Sequence, residues 1–381
     1  MGRQRVVEAD RRHLRLALAL AARGAGQTSP NPMVGAVVVR GGRVVGRGYH
    51  TRAGAPHAEA VALAQAGRRA RGAILYVNLE PCCHFGRTPP CVDTIIGAGV
   101  RRVVACMRDP DPRVRGRGFR ALRAGGVRVR VGVLLREAGV LNAEFVRRLA
   151  AARPLVTLKA GMSLDGRIAT RSGESKWITS SRARAAARDL RLAHDAVLVG
   201  VNTVVRDDPR LMARVGGVGR ATGMRRPGPV RVVLDARLRT PPRARLLNDG
   251  GPQAIILTLK AAPEARRRRL RGAGALVLDV PGRDGQVSVG GALRELARRG
   301  ITSVLVEGGS EVLGAMLDAR MADRLALFVA GRVLGGRGAL PVFGGRGVGR
   351  LRDAVRIRDM SVRPVGQDFL VEGTLVFPRH G

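Results

Sequence analysis

The chain is short of acid, of lysine and of aromatic rings. Its 68 lysines and arginines face only 29 aspartates and glutamates, a formal net charge of +39. Lys159, Lys176 and Lys260 are the only lysines, so nearly all the positive charge is arginine. Aromatic residues make up 3%, which disfavours a nucleic-acid platform that stacks bases on rings. The arginines are spread along the whole sequence among abundant alanine and glycine, the pattern of a composition bias. The charge also admits a sharper reading, nucleic-acid binding through phosphates. Under either reading it attracts a phosphorylated small substrate. No apolar run approaches the ~18 residues of a membrane span. Leu16 to Ala22 follows several arginines, but it is short for a secretory leader and comes after Glu8 and Asp10. With Leu14, Leu18 and Ala21 on one face, residues 11–23 read instead as an amphipathic helix. Four cysteines in 381 residues make no disulfide framework, and three of them crowd one stretch. That usage fits a reducing cytoplasm. Length and a 45% hydrophobic content predict a globular chain of two domains.

The crowded stretch runs from His57 to Cys91. It opens Pro56-His57-Ala58-Glu59 and closes Pro81-Cys82-Cys83-His84-Phe85-Gly86-Arg87-Thr88-Pro89-Pro90-Cys91. One imidazole and two thiolates hold zinc and leave a fourth position for water, the catalytic arrangement. Zinc lowers the pKa of bound water to about 7. Glu59 stands where zinc deaminases keep a proton-shuttling carboxylate that does not bind the metal. Pro56 opens a helix to about Arg71 and sets His57 and Glu59 near its positive end. Ala73 to Leu79 is a buried strand delivering Glu80-Pro81-Cys82 at its C-terminal end, where open α/β sheets bind ligands. Pro90-Cys91 starts a further helix, whose N-terminus favours thiolate. Val100 to Met107, with Cys106 in the core, and Val127 to Val133 are strands, and Arg136 to Ala151 is a helix. Strands alternating with helices imply a layered α/β domain. Arg153-Pro154 breaks the pattern and marks a boundary, giving domains 1–152 and 153–381.

Zinc nucleobase deaminases usually space their cysteines Pro-Cys-x-x-Cys; here the cysteines after Cys82 are Cys83 and Cys91. The segment Pro-Cys-x-His-x-Gly-Arg-Thr-Pro-Pro-Cys resembles the deaminase domain of the bifunctional riboflavin-biosynthesis deaminase/reductase family. The resemblance implies His57, Cys82 and Cys91 as zinc ligands and Glu59 as the catalytic acid/base, with Cys83 as the rival to Cys82. His84 is a substrate contact or a fourth ligand; the contact is preferred, because a fourth ligand closes the site to water. Asn31 reads from below as a turn residue, but Pro30-Asn31-Pro32-Met33-Val34-Gly35 matches the family's pyrimidine-binding loop.

The resemblance continues through Leu155 to Lys159, Ala160 to Ala169, Ser172 to Thr179, Arg191, His194 to Gly200, Asn202-Thr203, Asp207-Asp208-Pro209, Leu211 and Val304 to Ser310. It implies a cytidine-deaminase-like three-layer domain followed by a dihydrofolate-reductase-like α/β domain. It further implies zinc and NADPH as cofactors and assembly of copies through the reductase domains. Gly161, Trp177, Thr203, Asp207 and the run Gly309, Ser310, Glu311, Val312, Leu313, Gly314, Ala315 are then expected to face NADPH. Lys159, Ser175, Arg191, Leu211, Arg214 and Glu307 are expected to face the substrate, with Arg191 and Arg214 suited to its phosphate. Lys159 and Asp207 are candidates for proton handling. Read without the resemblance, the strand ending Glu307-Gly308-Gly309 before a helix is a phosphate-binding turn. Residues 214–230 read as a mobile loop and 264–271 as the solvated face of a helix. Val333 to Gly347 is glycine-rich and closes the second domain in the family. The implied activity is deamination of a pyrimidine ribosylamine phosphate followed by NADPH-dependent reduction of its ribosyl group. A nucleic-acid deaminase and a non-catalytic zinc scaffold are the alternatives.

Overall fold

A computed structural model describes residues 2–85, 89–213 and 228–378. Residues 214–227, which include Arg214 and most of the stretch 214–230 expected to be a loop, and Gly86, Arg87 and Thr88 of the cysteine segment lie outside the described residues. The chain divides into two compact units, Met1–Ala152 and Arg153–Gly381. No helix among the described residues is long and apolar enough to cross a membrane.

The first unit contains, in chain order, α1 (Gly2–Ala22), β1 (Gly35–Arg40), β2 (Arg43–Tyr49), α2 (Ala58–Ala66), β3 (Ile74–Leu79), α3 (Cys91–Gly97), β4 (Arg102–Met107), α4 (Arg117–Ala124), β5 (Arg128–Val131), α5 (Leu135–Leu141) and α6 (Ala143–Ala151). Its five strands run β2-β1-β3-β4-β5, antiparallel at β2/β1/β3 and parallel from β3 to β5. Apolar residues fill both faces of the central strands, and alternation sends them to two cores. Val38, Leu75, Val77 and Val103 pack with α2, α3 and α4, while Val37, Val39, Tyr76 and Cys106 pack with α1 and α5. This is the three-layer arrangement. The first helix begins at Gly2, nine residues before the amphipathic stretch predicts. Its buried Asp10 accepts from Tyr76 Oη at 2.9 Å, from Arg102 at 2.8 Å and from Arg130 at 2.9 Å, tying α1 to three strands. The helix expected over 136–151 is two helices broken at Asn142. The Asn142 side chain turns instead to Met33, accepting from its N–H at 2.8 Å and donating to its carbonyl at 3.0 Å.

The second unit comprises β6 (Leu155–Ser163), β7 (Arg167–Ala169), α7 (Ser181–Leu192), β8 (Ala196–Gly200), α8 (Val201–Asp207), β9 (Val230–Leu234), α9 (Arg245–Asn248), β10 (Ala254–Thr258), α10 (Glu264–Gly272), β11 (Leu276–Asp279), β12 (Gly282–Arg283), β13 (Gln286–Val287), α11 (Val289–Arg298), β14 (Ser303–Val306), α12 (Ser310–Asp318), β15 (Arg324–Ala330), β16 (Leu340–Pro341), β17 (Arg356–Val365) and β18 (Asp368–Val376). Its large sheet has the order β11-β10-β9-β8-β14-β6-β15-β18-β17. The strands are parallel from β11 to β15, and β18 and β17 are antiparallel additions at one edge. The central strands are buried throughout, as a parallel sheet covered by helices requires. Arg153 holds Asp323 through two bonds of 2.7 and 2.9 Å, a buried pair at the entrance to β6. The arginine run on α10 is not wholly solvated. Arg267 is buried and pairs with Glu264 at 3.1 Å and Asp279 at 2.8 Å, because its position on the helix faces β11.

Two strand glycines set the depth at which α2 lies. A Cβ on Gly46 would stand 2.1 Å from the Ala62 carbonyl, and one on Gly48 would stand 2.3 Å from that of Ala58. Both contacts are with backbone, so only displacement of the helix relieves them. Gly48→Ala is expected to lift the start of α2 and to destabilise the unit by about 1–3 kcal/mol in a denaturant titration. Unchanged stability in that variant would show that the close approach is dispensable.

Candidate active sites

In the first unit, His57 is the N-cap of α2, Cys82 follows β3 by three residues, and Cys91 is the first residue of α3. His57 Nδ1 lies 3.2 Å from Cys91 Sγ and 3.5 Å from Cys82 Sγ. The Cys91 backbone N–H donates to Cys82 Sγ at 3.3 Å. Bonds of about 2.0–2.3 Å to zinc make tetrahedral edges of roughly 3.5 Å, so these donors fit that ion without rearrangement. The three donor atoms lie within 4.8 Å of one another, the only such cluster among the described residues. The hydrogen bond from Cys91 pushes the Cys82 thiol down to about 4, and the same shared proton pushes Cys91 up. A metal replaces that proton, since bound cysteines are thiolates. Glu59, in the first turn of α2, is buried; desolvation and then the Cys82 charge push its carboxyl up to about 7. Cys83 points elsewhere, with its sulfur 3.8 Å from the Arg113 carbonyl.

The surrounding groups fix orientation. A carbonyl only accepts, so His50 Nδ1 donates to Pro56 O at 3.2 Å. Burial lowers the His50 pKa, keeping the ring neutral and leaving Nε2 as an acceptor. Asn31 Nδ2 donates to it at 3.1 Å. The Asn31 amide is thereby turned so that its oxygen remains for a ligand. Asn78 anchors the same loop, accepting from Gly35 N–H at 2.8 Å and donating to Met33 O at 2.9 Å. Glu80 is buried behind the metal loop and accepts the N–H groups of Asp109, Gly116 and Phe119 at 3.2, 2.9 and 3.1 Å. Gly118 lets α4 approach, since a Cβ there would lie 2.2 Å from the Pro81 carbonyl. Asp111 holds Arg113 in a fork with a shortest contact of 2.7 Å. His84 is half-buried, and its Nδ1 is enclosed without a hydrogen-bond partner among the described residues. Sequence reasoning missed His50, Asn78 and the role of Glu80. The signal for Glu80 was a carboxylate ending a continuous apolar run; a lone histidine such as His50 gave none.

In the second unit a cleft of about 1330 Å³ opens at the C-terminal ends of β6, β14, β8 and β9. At its centre Glu307, just after β14, takes a fork from Arg191 at 2.5 and 2.7 Å and lies 3.5 Å from Lys159 Nζ. Burial pushes the Glu307 carboxyl up, but Lys159 and Arg191 outweigh it and hold it down at about 2. Arg191 therefore spends its fork on a carboxylate and its remaining Nη1 on Met212 O at 2.8 Å, rather than standing free for a phosphate. Gly308 and Gly309 have φ of 155° and 79°, and a Cβ on either would meet Thr203. They form a bare backbone cradle ahead of α12. Gly309 caps α12 without a side chain, and Ser310 Oγ is buried without a partner among the described residues. Uncapped N–H groups with an orphaned hydroxyl fit a phosphate group.

Lys159, Gly161, Ser175, Trp177, Thr203, Asp207 and Leu211 all line this cleft, as do Ser310 to Leu313 and Ala315. Trp177 is exposed, with the Arg184 guanidinium 4.4 Å above its ring. Gly314 is not among the cleft residues; it faces the other way, where a Cβ would lie 2.1 Å from the Gly344 carbonyl. The glycine-rich segment after Val333 is drawn in by Asp165, which accepts from Leu334 and Gly335 N–H at 3.0 and 2.8 Å.

Residues 7–107 match the family model described as cytidine and deoxycytidylate deaminase zinc-binding region, and residues 154–371 match that of the RibD C-terminal domain. The riboflavin biosynthesis protein RibD of Aquifex aeolicus is 41% identical over 96% of this chain and 98% of its own length. That of Escherichia coli K12 is 40% identical over 94% and 97%. Among solved structures, RibD of Acinetobacter baumannii superposes with a TM-score of 0.86 at 34% identity, covering 97% of this chain and 99% of its own. The diaminohydroxyphosphoribosylaminopyrimidine deaminase/5-amino-6-(5-phosphoribosylamino)uracil reductase of Thermotoga maritima gives 0.83 at 35%, with the same coverage.

The geometry separates the adjacent cysteines by experiment. Cys82→Ser and Cys91→Ser are each expected to lose bound zinc, measured by elemental analysis of the purified protein, while Cys83→Ser keeps it. Zinc loss in the Cys83 variant with retention in the Cys82 variant would reverse the assignment.

Proposed function

The chain belongs to the bifunctional deaminase/reductase family of riboflavin biosynthesis, and on that footing we propose how its residues divide the work. The substrate of the first site is 2,5-diamino-6-ribosylamino-4(3H)-pyrimidinone 5′-phosphate, which loses its 2-amino group as ammonia. Asn31, oriented by His50, accepts from the pyrimidine edge, and His84 contacts the substrate beside it. Zinc held by His57, Cys82 and Cys91 supplies a Lewis acid that makes water acidic near neutral pH. Glu59 carries the protons. Its buried carboxyl takes a first proton from the attacking water and gives it to the ring nitrogen, then takes the second from the newly added hydroxyl and gives it to the amine that leaves as ammonia. The observation that carries this reading is the convergence of one imidazole and two sulfurs beside a buried glutamate.

At the second site the ribosyl group is reduced to ribityl, giving 5-amino-6-ribitylaminouracil 5′-phosphate. NADPH supplies the hydride. Gly308, Gly309 and the start of α12 receive its phosphates, with Gly161, Trp177, Thr203 and Asp207 along its length. Ser175, Leu211 and the Lys159–Glu307–Arg191 cluster face the substrate, for whose phosphate the family resemblance adds Arg214, and Lys159 or Asp207 handles the proton near C1′. The substrate is a small molecule, and the nucleic-acid alternative is not favoured: both halves match small-molecule enzymes. We place the protein in the cytoplasm, where its thiols stay reduced.

Self-association through the reductase units is supported by β17. This edge strand is exposed along its length and carries Ile357, Met360 and Val362 bare, beside Phe369 of β18. An open apolar edge is a pairing surface. Light scattering on the full chain should give a dimer or larger, and Val362→Lys should shift it toward monomer; a monomeric parent would end this reading.

The test of the two activities follows ammonia release and NADPH oxidation separately in purified, zinc-loaded protein. Both are expected, with chelation stopping the first. Glu59→Gln should lower deamination by about 10²–10⁴-fold while retaining zinc. Near-normal turnover in that variant would remove Glu59 from the mechanism.

A further inference from the structure

We propose that a second cavity of the first unit, lined by Arg108, Arg115, Arg120 and Arg123, binds an anion that carries two or more phosphate groups. The site is separate from the zinc centre and from the reductase cleft.

The cavity has a volume of about 590 Å³ and lies where the ends of β4 and β5 meet the start of α4. Arg108 follows the last residue of β4, Arg115 stands just ahead of α4, and Arg120 and Arg123 are on the helix itself. All of them line the cavity and all are exposed. None of His57, Glu59, Cys82, Cys91, Asn31 or His84 lines it.

The charge in this cavity is not compensated. Other arginines of the same unit meet carboxylates: Arg102 and Arg130 share Asp10, and Arg113 takes Asp111. The cavity arginines form no ion pair and no side-chain hydrogen bond among the described residues. The carboxylates of the adjoining loop are already engaged. Asp109 accepts the Asp111 N–H at 2.8 Å, Asp111 holds Arg113, and Glu80 takes three backbone N–H groups. Arg120 and Arg123 stand three apart on one helix, a spacing at which like charges repel unless an anion lies between them. Bare arginines alone do not make a site, since Arg268, Arg269 and Arg271 are exposed on α10. Convergence on one cavity sets the present group apart.

The lining also selects the ligand. An arginine side chain donates and never accepts, and it matches phosphate oxygens in a fork. Phe119 lines the cavity but is buried, so no ring is bare for stacking on a base. A water molecule takes about 30 Å³, so the space admits a chain of phosphate groups. Charge is therefore recognised, and a base is not. The position gives the ligand a consequence. Arg108 adjoins Asp109 and Arg115 adjoins Gly116, and the N–H groups of Asp109, Gly116 and Phe119 all bond Glu80. An anion bridging Arg108 and Arg115 ties together the two segments that seat Glu80, from which the Cys82 loop departs.

The test is calorimetric titration of the zinc-loaded full chain, its reductase cleft saturated with NADPH, by inorganic diphosphate, tripolyphosphate, ADP and orthophosphate. One diphosphate per chain is expected, bound at least about tenfold more tightly than orthophosphate, the scale of one further charge-assisted contact. Arg120→Gln/Arg123→Gln should weaken diphosphate more than about tenfold, and Arg108→Gln should weaken it from the β4 side. Arg268→Gln/Arg269→Gln, which removes the same charge from α10, should leave it unchanged. Zinc content of each variant controls for folding. Bound diphosphate should also slow hydrogen exchange in the segment from Arg108 to Phe119 of the parent, and not in the Arg120/Arg123 variant. ADP binding as tightly as diphosphate supports recognition of the phosphate chain alone. Equal weakening by the two double variants overturns the proposal, because attraction to net charge then explains the binding. Diphosphate that raises the KM of the pyrimidine phosphate for ammonia release overturns it by placing the cavity in the catalytic site. An oligoribonucleotide that needs Arg120 and Arg123, with no binding of diphosphate, overturns it in favour of a nucleic-acid surface.

Discussion

In both units the functional end of the sheet depends on a buried glutamate directly after a central parallel strand. A carboxylate taken out of water costs several kcal/mol unless its lone pairs are met. Glu80 meets the requirement with three backbone N–H groups from the segment Asp109 to Phe119. Glu307 meets it with Arg191 and Lys159. The two solutions have different consequences. Backbone donors lock Glu80 in a structural role, so the loop carrying Cys82 starts from a fixed point. Side-chain cations leave Glu307 at the centre of a charged cluster open to a ligand.

Close approach between helix and strand is the second shared device. Gly46 and Gly48 let α2 lie directly on β2, and Gly118 lets α4 reach the Pro81 carbonyl. Gly314 does the same for α12 against the Gly344 segment. In each case the helix start that bears on a site, His57 and Glu59 on α2 or Ser310 on α12, is set by a missing side chain elsewhere. Several of the chain's glycines therefore set the position of helices that carry candidate site residues.

Much of the site was legible because its chemistry is local in sequence. His57 and Glu59 stand two residues apart at one helix start, and Cys82 and Cys91 flank one loop. Buried strands were equally plain, since parallel strands covered on both faces read as unbroken apolar runs. Less was legible where a long-range partner decides the outcome. The break at Asn142 arises from its bonds to Met33, more than a hundred residues away, and nothing in the helical period announces it. Arg267 looks like its three neighbours until β11 supplies Asp279. Arg191 reads as a phosphate ligand because arginine often is one, and only the fold shows Glu307 occupying its fork.

By itself the sequence determined the family and the zinc chemistry that goes with it, because residue type, spacing and apolar period are properties of the chain alone. Tertiary structure decided which groups are charged, which are turned toward a ligand and which are withdrawn. His50 becomes a neutral acceptor through Pro56, and Arg191 is turned onto a carboxylate through Glu307. The physical reason is that protonation, orientation and exposure are set by partners in space, and those partners come from distant parts of the chain.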